Sequence, residues 1–264
     1  MVKVKNKKVS VIVNCHNGQK YLKQCINSIL NQTFKNLELI FFDNCSNDKS
    51  IEIIRKYKDK RIKVHSSKKF LKLYHARNEA IKKAKGKYIC FLDVDDYWEI
   101  TKLEKQVNFL ENNLQYSMVY SNFFIYHQNN KKKYNQTDFA CLNGNITNRI
   151  LKKYNIGAIL TACIRRNVFN KIFFNKNFNI IGDFDFFIRL SLISKLSCIK
   201  EPLANYRLHN NNYSKKRINE HIEELKFWLK KNKKKFKKLR MSLFYQRVYL
   251  TKLQIKYLLK KMGV

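Results

Sequence analysis

Proline is nearly missing from this 264-residue chain, which has one, and glycine is scarce at six. Collagen-like, proline-rich and glycine-rich segments are thereby excluded. Acidic residues are also few: 19 Asp and Glu stand against 55 Lys and Arg, for a net charge of +36. Such a surplus attracts phosphate, whether in nucleic acid, nucleotide or anionic lipid. The seven cysteines (15, 25, 45, 90, 141, 163, 198) include no Cys-x-x-Cys pair. Several lie in apolar runs, where a thiol behaves as a small hydrophobe. Free thiols in a reducing compartment are therefore expected rather than a disulfide framework. No run approaches the length of a membrane-spanning helix, and the apolar run Val9 to Val13 is too short for a signal peptide. A cytoplasmic protein is expected, with peripheral contact on the inner face of the cytoplasmic membrane compatible with the charge. No Gly-x-Gly-x-x-Gly follows the first apolar run and no Gly-x-x-x-x-Gly-Lys occurs, which argues against a dinucleotide fold and a P-loop enzyme.

What is present is a 45% hydrophobic chain, long enough for one large domain or a domain with an appendage. The organising stretch is Lys87-Tyr-Ile-Cys-Phe-Leu-Asp93-Val-Asp95-Asp96-Tyr-Trp98. A short apolar run after Gly86 reads as a buried strand of a parallel sheet. Three carboxylates follow where ligands collect in open α/β sheets, just outside the carboxyl ends of the strands. Like charges this close need compensation. Hard oxygen ligands suit Mg²⁺ or Mn²⁺, completed by substrate phosphates. The plainer alternative is an acidic turn in which Asp96 or Thr101 caps the next helix.

Upstream, three units repeat the same plan. Strands are expected at Val9–Val13, Leu37–Phe42 and Arg61–Val64, each followed by apolar residues at helical spacing. Asp48 is placed to cap the second helix. Units of about 30 residues are βαβ crossovers, so this part of the sheet is parallel. Downstream, a helix is expected over Thr101–Asn112, strands over Ser117–Tyr126 and Ile159–Arg165, and a solvated basic hairpin tip over His127–Thr137.

The stretches Val9-Ser-Val-Ile-Val-Asn14-Cys-His-Asn17, Phe42-Asp43-Asn-Cys-Ser46-Asn-Asp48, Ala76-Arg77-Asn78 and Leu92-Asp-Val-Asp-Asp96 resemble, in order, the motifs of family 2 glycosyltransferases. The similarity runs over about residues 8–212. It implies a GT-A fold, a mostly parallel α/β sheet flanked by helices, and inverting transfer from a nucleotide-diphosphate sugar, with a UDP-sugar as the expected donor. Asn14, Asn17, Asp43, Arg77 and Asp93 are then expected on the nucleotide sugar, and Asp95 and Asp96 nearest the ribose and a Mn²⁺ or Mg²⁺ ion. Two departures stand out. Asn14-Cys15 occupies a loop where many members carry proline, and the acidic pair after the second strand is reduced to Asp43-Asn44. The plainer alternatives are a helix-surface arginine for Arg77 and a turn residue making an Asx-type bond for Asp43.

Ile180-Ile-Gly182-Asp183-Phe-Asp185 resembles the family's Glu-Asp motif, with Gly182 in place of the glutamate. The resemblance makes Asp183 the catalytic base, as an inverting displacement requires a carboxylate to take the acceptor's proton. Asp185 is spaced to pair with Arg189. Tyr206-Arg207-Leu-His209 through Ser214 resembles the closing motif, which puts Arg207 on the diphosphate and His209 on the diphosphate or the metal. A catalytic domain is expected over 1–214. Residues 215–264 carry 17 basic and 3 acidic residues and read as a basic extension of two amphipathic helices. Its stripe of Met241, Phe244, Val248, Ile255 and Leu258 suits either the protein core or an anionic membrane surface.

Two other functions compete. A basic nucleic-acid-binding module fits the charge, but no nucleic-acid motif is present and carboxylates at strand ends oppose it. A sugar nucleotidyltransferase fits the sheet but usually needs a glycine-rich basic loop after the first strand, where this chain has only Gly18. The favoured partners are a nucleotide-diphospho-sugar and a glycan or lipid-linked acceptor, and no nucleic acid.

Overall fold

The computed structural model describes residues 9–136, 141–154, 157–210, 212 and 217–262. Thr137 of the basic loop, Tyr213 and Ser214 of the closing motif, and the expected division at 214/215 lie outside the described residues.

The first half follows directly from its apolar runs. Strands β1 (Val9–Cys15), β2 (Leu37–Asp43), β3 (Ile62–Ser66) and β4 (Tyr88–Phe91) lie in the parallel order β3-β2-β1-β4. Every residue of β2 and β4 is buried, because the connecting helices cover both faces. Those helices are α1 (Leu22–Leu30), α2 (Ser50–Arg55) and α3 (Leu73–Ile81). Alternation sorts each strand between two cores. Ile12, Ile40, Phe42, Ile89 and Phe91 join one cluster, while Val11, Val13, Leu39, Phe41 and Cys90 join the other. Gly86 is required here, since a Cβ would lie 2.6 Å from the Ser10 backbone nitrogen. Asp48 meets the start of α2, accepting from the Ser50 N–H at 2.9 Å.

Beyond β4 the sheet becomes mixed. Strand β8 (Cys163–Arg165) runs antiparallel to β4, and β6 (Tyr116–His127) antiparallel to β8. Strand β9 (Lys195–Leu208) is parallel to β6, and β5 (Tyr97–Trp98) closes the order antiparallel to β9. Strand β7 (Lys132–Asn135) folds back on β6, so the basic segment is a hairpin. The register of β6 against β9 shifts around Asn122, opposite Pro202; a residue without an N–H is tolerated at such an irregularity.

Three expectations change. The strand expected from Ile159 shortens to Cys163–Arg165, preceded by a 3₁₀ turn over Ile159–Thr161. Side chains explain why: Trp98 Nε1 donates to the Leu160 carbonyl and Gln106 Nε2 to that of Thr161, so these carbonyls need no ladder partner. Thr101 makes no capping bond at the start of α4 (Lys102–Asn112). The cysteines are not all free: Cys141 and Cys198 form a disulfide. Asn143 Oδ1 accepts from the Cys198 N–H and Ser197 Oγ, and Gly144 bridges to Leu196, which docks the 141–144 segment on β9. Cysteines 57 residues apart give no sequence sign of that docking. Cys15, Cys25, Cys90 and Cys163 are free and buried.

The remaining helices are α5 (Thr147–Lys152), α6 (Gly182–Ser191), α7 (Ile218–Lys238) and α8 (Phe244–Lys261). Helix α7 belongs to the main body, with Trp228 and Phe236 buried in the same core as β1, β2 and β4. Its Ile218, Ile222 and Leu225 meet Leu253 of α8 in a smaller cluster. Among the described residues, no helix is long and apolar enough to cross a membrane.

Candidate active site

The carboxyl ends of β1, β2 and β4 open on one edge of the sheet. The turn after β4 is tight, with the Asp96 N–H donating to the Asp93 carbonyl at 3.0 Å. Because β5 follows at once and pairs with β9, the acidic turn is carried over to Arg207. The Arg207 N–H donates to Asp96 Oδ1 at 2.8 Å and its Nε to the Asp95 carbonyl at 2.5 Å. The rest of the guanidinium reaches Gln24 and Gln128 and lies among the rings of Tyr21, Tyr97 and Tyr126, 4.7–5.3 Å from their centroids. Arg207 thus holds the turn from within the protein.

Asp96 is 2% exposed, and its Oδ2 has no hydrogen-bond partner among the described residues. Burial first, then the charges of Asp95 and Asp93, push its pKa well above the ordinary carboxylate range. Asp95 is also raised, by burial and by Asp93, against the pull of His209, whose Nε2 lies 3.0 Å from Asp95 Oδ2.

A second group forms around Arg77 on α3, which is 2% exposed and no surface arginine. It donates to Asp93 Oδ1 at 2.5 Å and to Asp183 Oδ1 at 2.8 Å, and covers the Tyr74 ring at 5.0 Å. Burial opposes the charged guanidinium, but the two carboxylates outweigh it and hold its pKa up. Asp183 sits in the first turn of α6, where a helix favours negative charge. Its own pKa is raised, by burial foremost, with Arg77 pulling down and Asp93 pushing up. Position 182 admits no side chain, because a Cβ there would lie 2.3 Å from the Tyr74 ring. The glutamate of the resembled motif is therefore replaced by an aromatic wall.

The first two loops lock to each other. Asn17, at φ 55°, accepts from the Asn47 N–H at 2.9 Å and donates its own N–H to Ser46 Oγ at 3.0 Å. Gln19 donates its N–H to Asp48 Oδ2 and accepts at Oε1 from the Lys49 N–H, both at 2.9 Å. Asp43 is buried and accepts from the Ser46 N–H, three residues on, with both oxygens, at 3.2 and 3.3 Å. Asn14 faces the same edge from the end of β1, and its buried Nδ2 has no partner among the described residues.

The structure thus gathers Arg77, Asp93 and Asp183 into one charged group and Asp95, Asp96, Arg207 and His209 into another, joined through the acidic turn. Asn14, Asn17 and Asp43 stand at the neighbouring strand ends. Sequence reasoning missed the supports. Glu224 of α7 accepts from the backbone N–H groups of Asn179, Ile180 and Ile181, at the entrance to α6, at 2.6–3.0 Å. Trp228 Nε1 donates to Asp185 at 3.0 Å, and Asp185 also pairs with Arg189. The available signal was Glu224 and Trp228, four residues apart and so on one helix face.

No group of three or more His, Cys, Asp or Glu side chains among the described residues is arranged to hold a metal by itself. An ion completed by phosphate and water needs only one or two carboxylates. The orphaned hard oxygen of Asp96 fits that demand.

Residues 10–173 match the model of Glycosyl transferase family 2. The chain belongs to that family. This family 2 glycosyltransferase is 33% identical over 249 residues to an uncharacterised glycosyltransferase of Methanocaldococcus jannaschii, covering 86% of this chain and 81% of the relative. It is 33% identical over 221 residues to WfaP of Escherichia coli, a UDP-Glc:α-D-GlcNAc-diphosphoundecaprenol β-1,3-glucosyltransferase, covering 82% and 83% of the two chains. The crystal structure of S. aureus TarS 1–349 with UDP-GlcNAc shares the fold at a TM-score of 0.70 and 22% identity, over 83% of this chain and 65% of that one. Membership sets aside the nucleic-acid module and the nucleotidyltransferase.

Proposed function

We propose that this glycosyltransferase moves a sugar from a nucleotide-diphosphate donor, a UDP-sugar, to a glycan or lipid-linked acceptor of bacterial surface polysaccharide synthesis, inverting the anomeric centre. The observation that carries the reading is Arg77, which joins Asp93 at the strand-end edge to Asp183 on the helix opposite. A carboxylate held beside that edge by a buried cation is placed to take a proton from an acceptor hydroxyl. Burial keeps Asp183 more basic than a solvated aspartate, which favours that proton transfer. The donor class is supported by WfaP and by the UDP-GlcNAc complex of TarS, and the lipid-linked acceptor by the diphosphoundecaprenol in the WfaP name.

In this reading Asn14, Asn17 and Asp43 border the nucleobase, and Arg77 and Asp93 the nucleotide sugar. Asp95 and Asp96 would hold Mn²⁺ or Mg²⁺ together with the donor's phosphates, with His209 beside them at 3.0 Å from Asp95 Oδ2. When bound, such an ion neutralises charge on the departing diphosphate. Arg207 keeps the acidic turn in register through the Asp95 carbonyl and the Asp96 carboxylate, next to the diphosphate it is expected to serve.

The test is Asp183→Asn. The variant should bind the UDP-sugar as the wild type does, and turnover should fall by about three orders of magnitude or more, as loss of general-base catalysis implies. A variant keeping a tenth of wild-type turnover, or a product with retained anomeric configuration by NMR, would sink the assignment.

A further inference from the structure

Helix α8 has two apolar faces, and the described residues cover only one. At about 100° per residue, Gln246, Leu250, Leu253 and Tyr257 fall on one side. Leu250, Leu253 and Tyr257 pack against α7, and Gln246 donates to the Leu151 carbonyl. On the opposite side, Phe244, Val248, Ile255, Leu258, Leu259 and Met262 fall within an arc of about 100°. These residues are open: Phe244 is 61% exposed, Ile255 52%, Leu258 56% and Met262 75%. The stripe expected to choose between core and membrane is this outer one, apart from Met241, which packs against the core.

Charge tells what suits the open face. Helix α8 has no acidic residue. Arg247 flanks the stripe on one side and Lys252 and Lys256 on the other, all three exposed. An apolar strip between rows of long cationic side chains is the pattern of a helix lying in a membrane interface, where alkyl stems run along the apolar layer and the charges reach the headgroups. We propose that the outer face of α8 lies flat on an anionic lipid bilayer. The helix is not apolar enough to cross it. A second copy is a poorer occupant, because it would set the same cations, with no carboxylate on the helix, against these. Duplex nucleic acid would leave the stripe in water. The inference does not rest on the transfer reaction, although it agrees with a lipid-linked acceptor.

The experiment is co-sedimentation of the full chain with vesicles of phosphatidylcholine alone, or mixed with phosphatidylglycerol, without donor or metal. Binding should favour the phosphatidylglycerol vesicles several-fold and weaken as salt rises, because exposed charges are screened. Ile255→Asp with Leu258→Asp should lower partitioning at least about tenfold, since each removes apolar area from the interface. Lys252→Glu with Lys256→Glu should erase the lipid preference. The altered side chains point outward, so thermal unfolding and transfer to a soluble acceptor should match the wild type. Equal pelleting on both vesicle types would overturn the proposal, as would undiminished binding of the Asp double variant. A dimer in size-exclusion chromatography that this variant dissolves, with no vesicle binding, would assign the face to a second copy instead.

Discussion

At the residue scale, the decisive atoms are a buried oxygen of Asp96 without a partner among the described residues and a buried carboxyl, that of Asp183, with one. A buried carboxylate with one oxygen unpartnered is destabilising, and a neutral amide of the same shape can keep the bond that Oδ1 accepts from the Arg207 N–H. Asp96→Asn should therefore leave the metal-free protein as stable as the wild type or up to about 1 kcal/mol more stable, while abolishing transfer and any rise in melting temperature on adding Mn²⁺. A variant that unfolds easily in EDTA would show that Asp96 is structural. For Asp183 the sign runs the other way. A general base works only when deprotonated, and burial raises its pKa. The acid limb of the kcat profile should therefore lie above the ordinary aspartate value of about 4, with activity lost as pH falls through it. A limb at or below that value would show that burial does not govern the base. The carboxylates themselves were legible, because three acids after an apolar run have few explanations. Arg77's partners were not: Asp183 lies 106 residues away, and no local pattern records a contact across the fold.

At the scale of elements, the parallel half could be read from periodicity because each strand is buried on both faces and each helix on one. The second half could not. The 159–161 turn takes its shape from the Trp98 and Gln106 side chains, and the Cys141–Cys198 link from a segment docked on β9. Both are tertiary effects that override local preference. Helix α7 makes the same point for the site. Its composition advertises charge, yet its structural role falls to Glu224 and Trp228, which hold the entry and first turn of α6. Glu224→Gln keeps the shape but replaces an anion that accepts three backbone N–H groups. Those bonds are charge-assisted, so the change should destabilise the protein by about 1–2 kcal/mol and slow turnover several-fold with donor affinity unchanged. Chemical denaturation and steady-state kinetics together check this; a loss of donor affinity with turnover intact would place Glu224 elsewhere in the mechanism.

At the scale of the whole molecule, the chain is layered from the sheet through α7 to α8, with the strand-end edge formed by both halves of the sequence. Overall architecture was legible because four motifs in order constrain it strongly. The layering was not, since an amphipathic helix does not announce which neighbour covers it. Arg77 has a consequence at this scale. It is one cation shared between Asp93, at the edge proposed to take the nucleotide, and Asp183, the proposed base. A donor that draws Arg77 toward its phosphates takes that cation from Asp183, which then becomes a stronger base. On the proposed roles, the empty enzyme holds the weaker base. The acid limb assigned to Asp183 should therefore lie higher in the kcat profile, which reports the substrate complex, than in the kcat/KM profile for the donor, which reports the free enzyme. Coincident limbs would mean that the donor does not draw Arg77 away from Asp183.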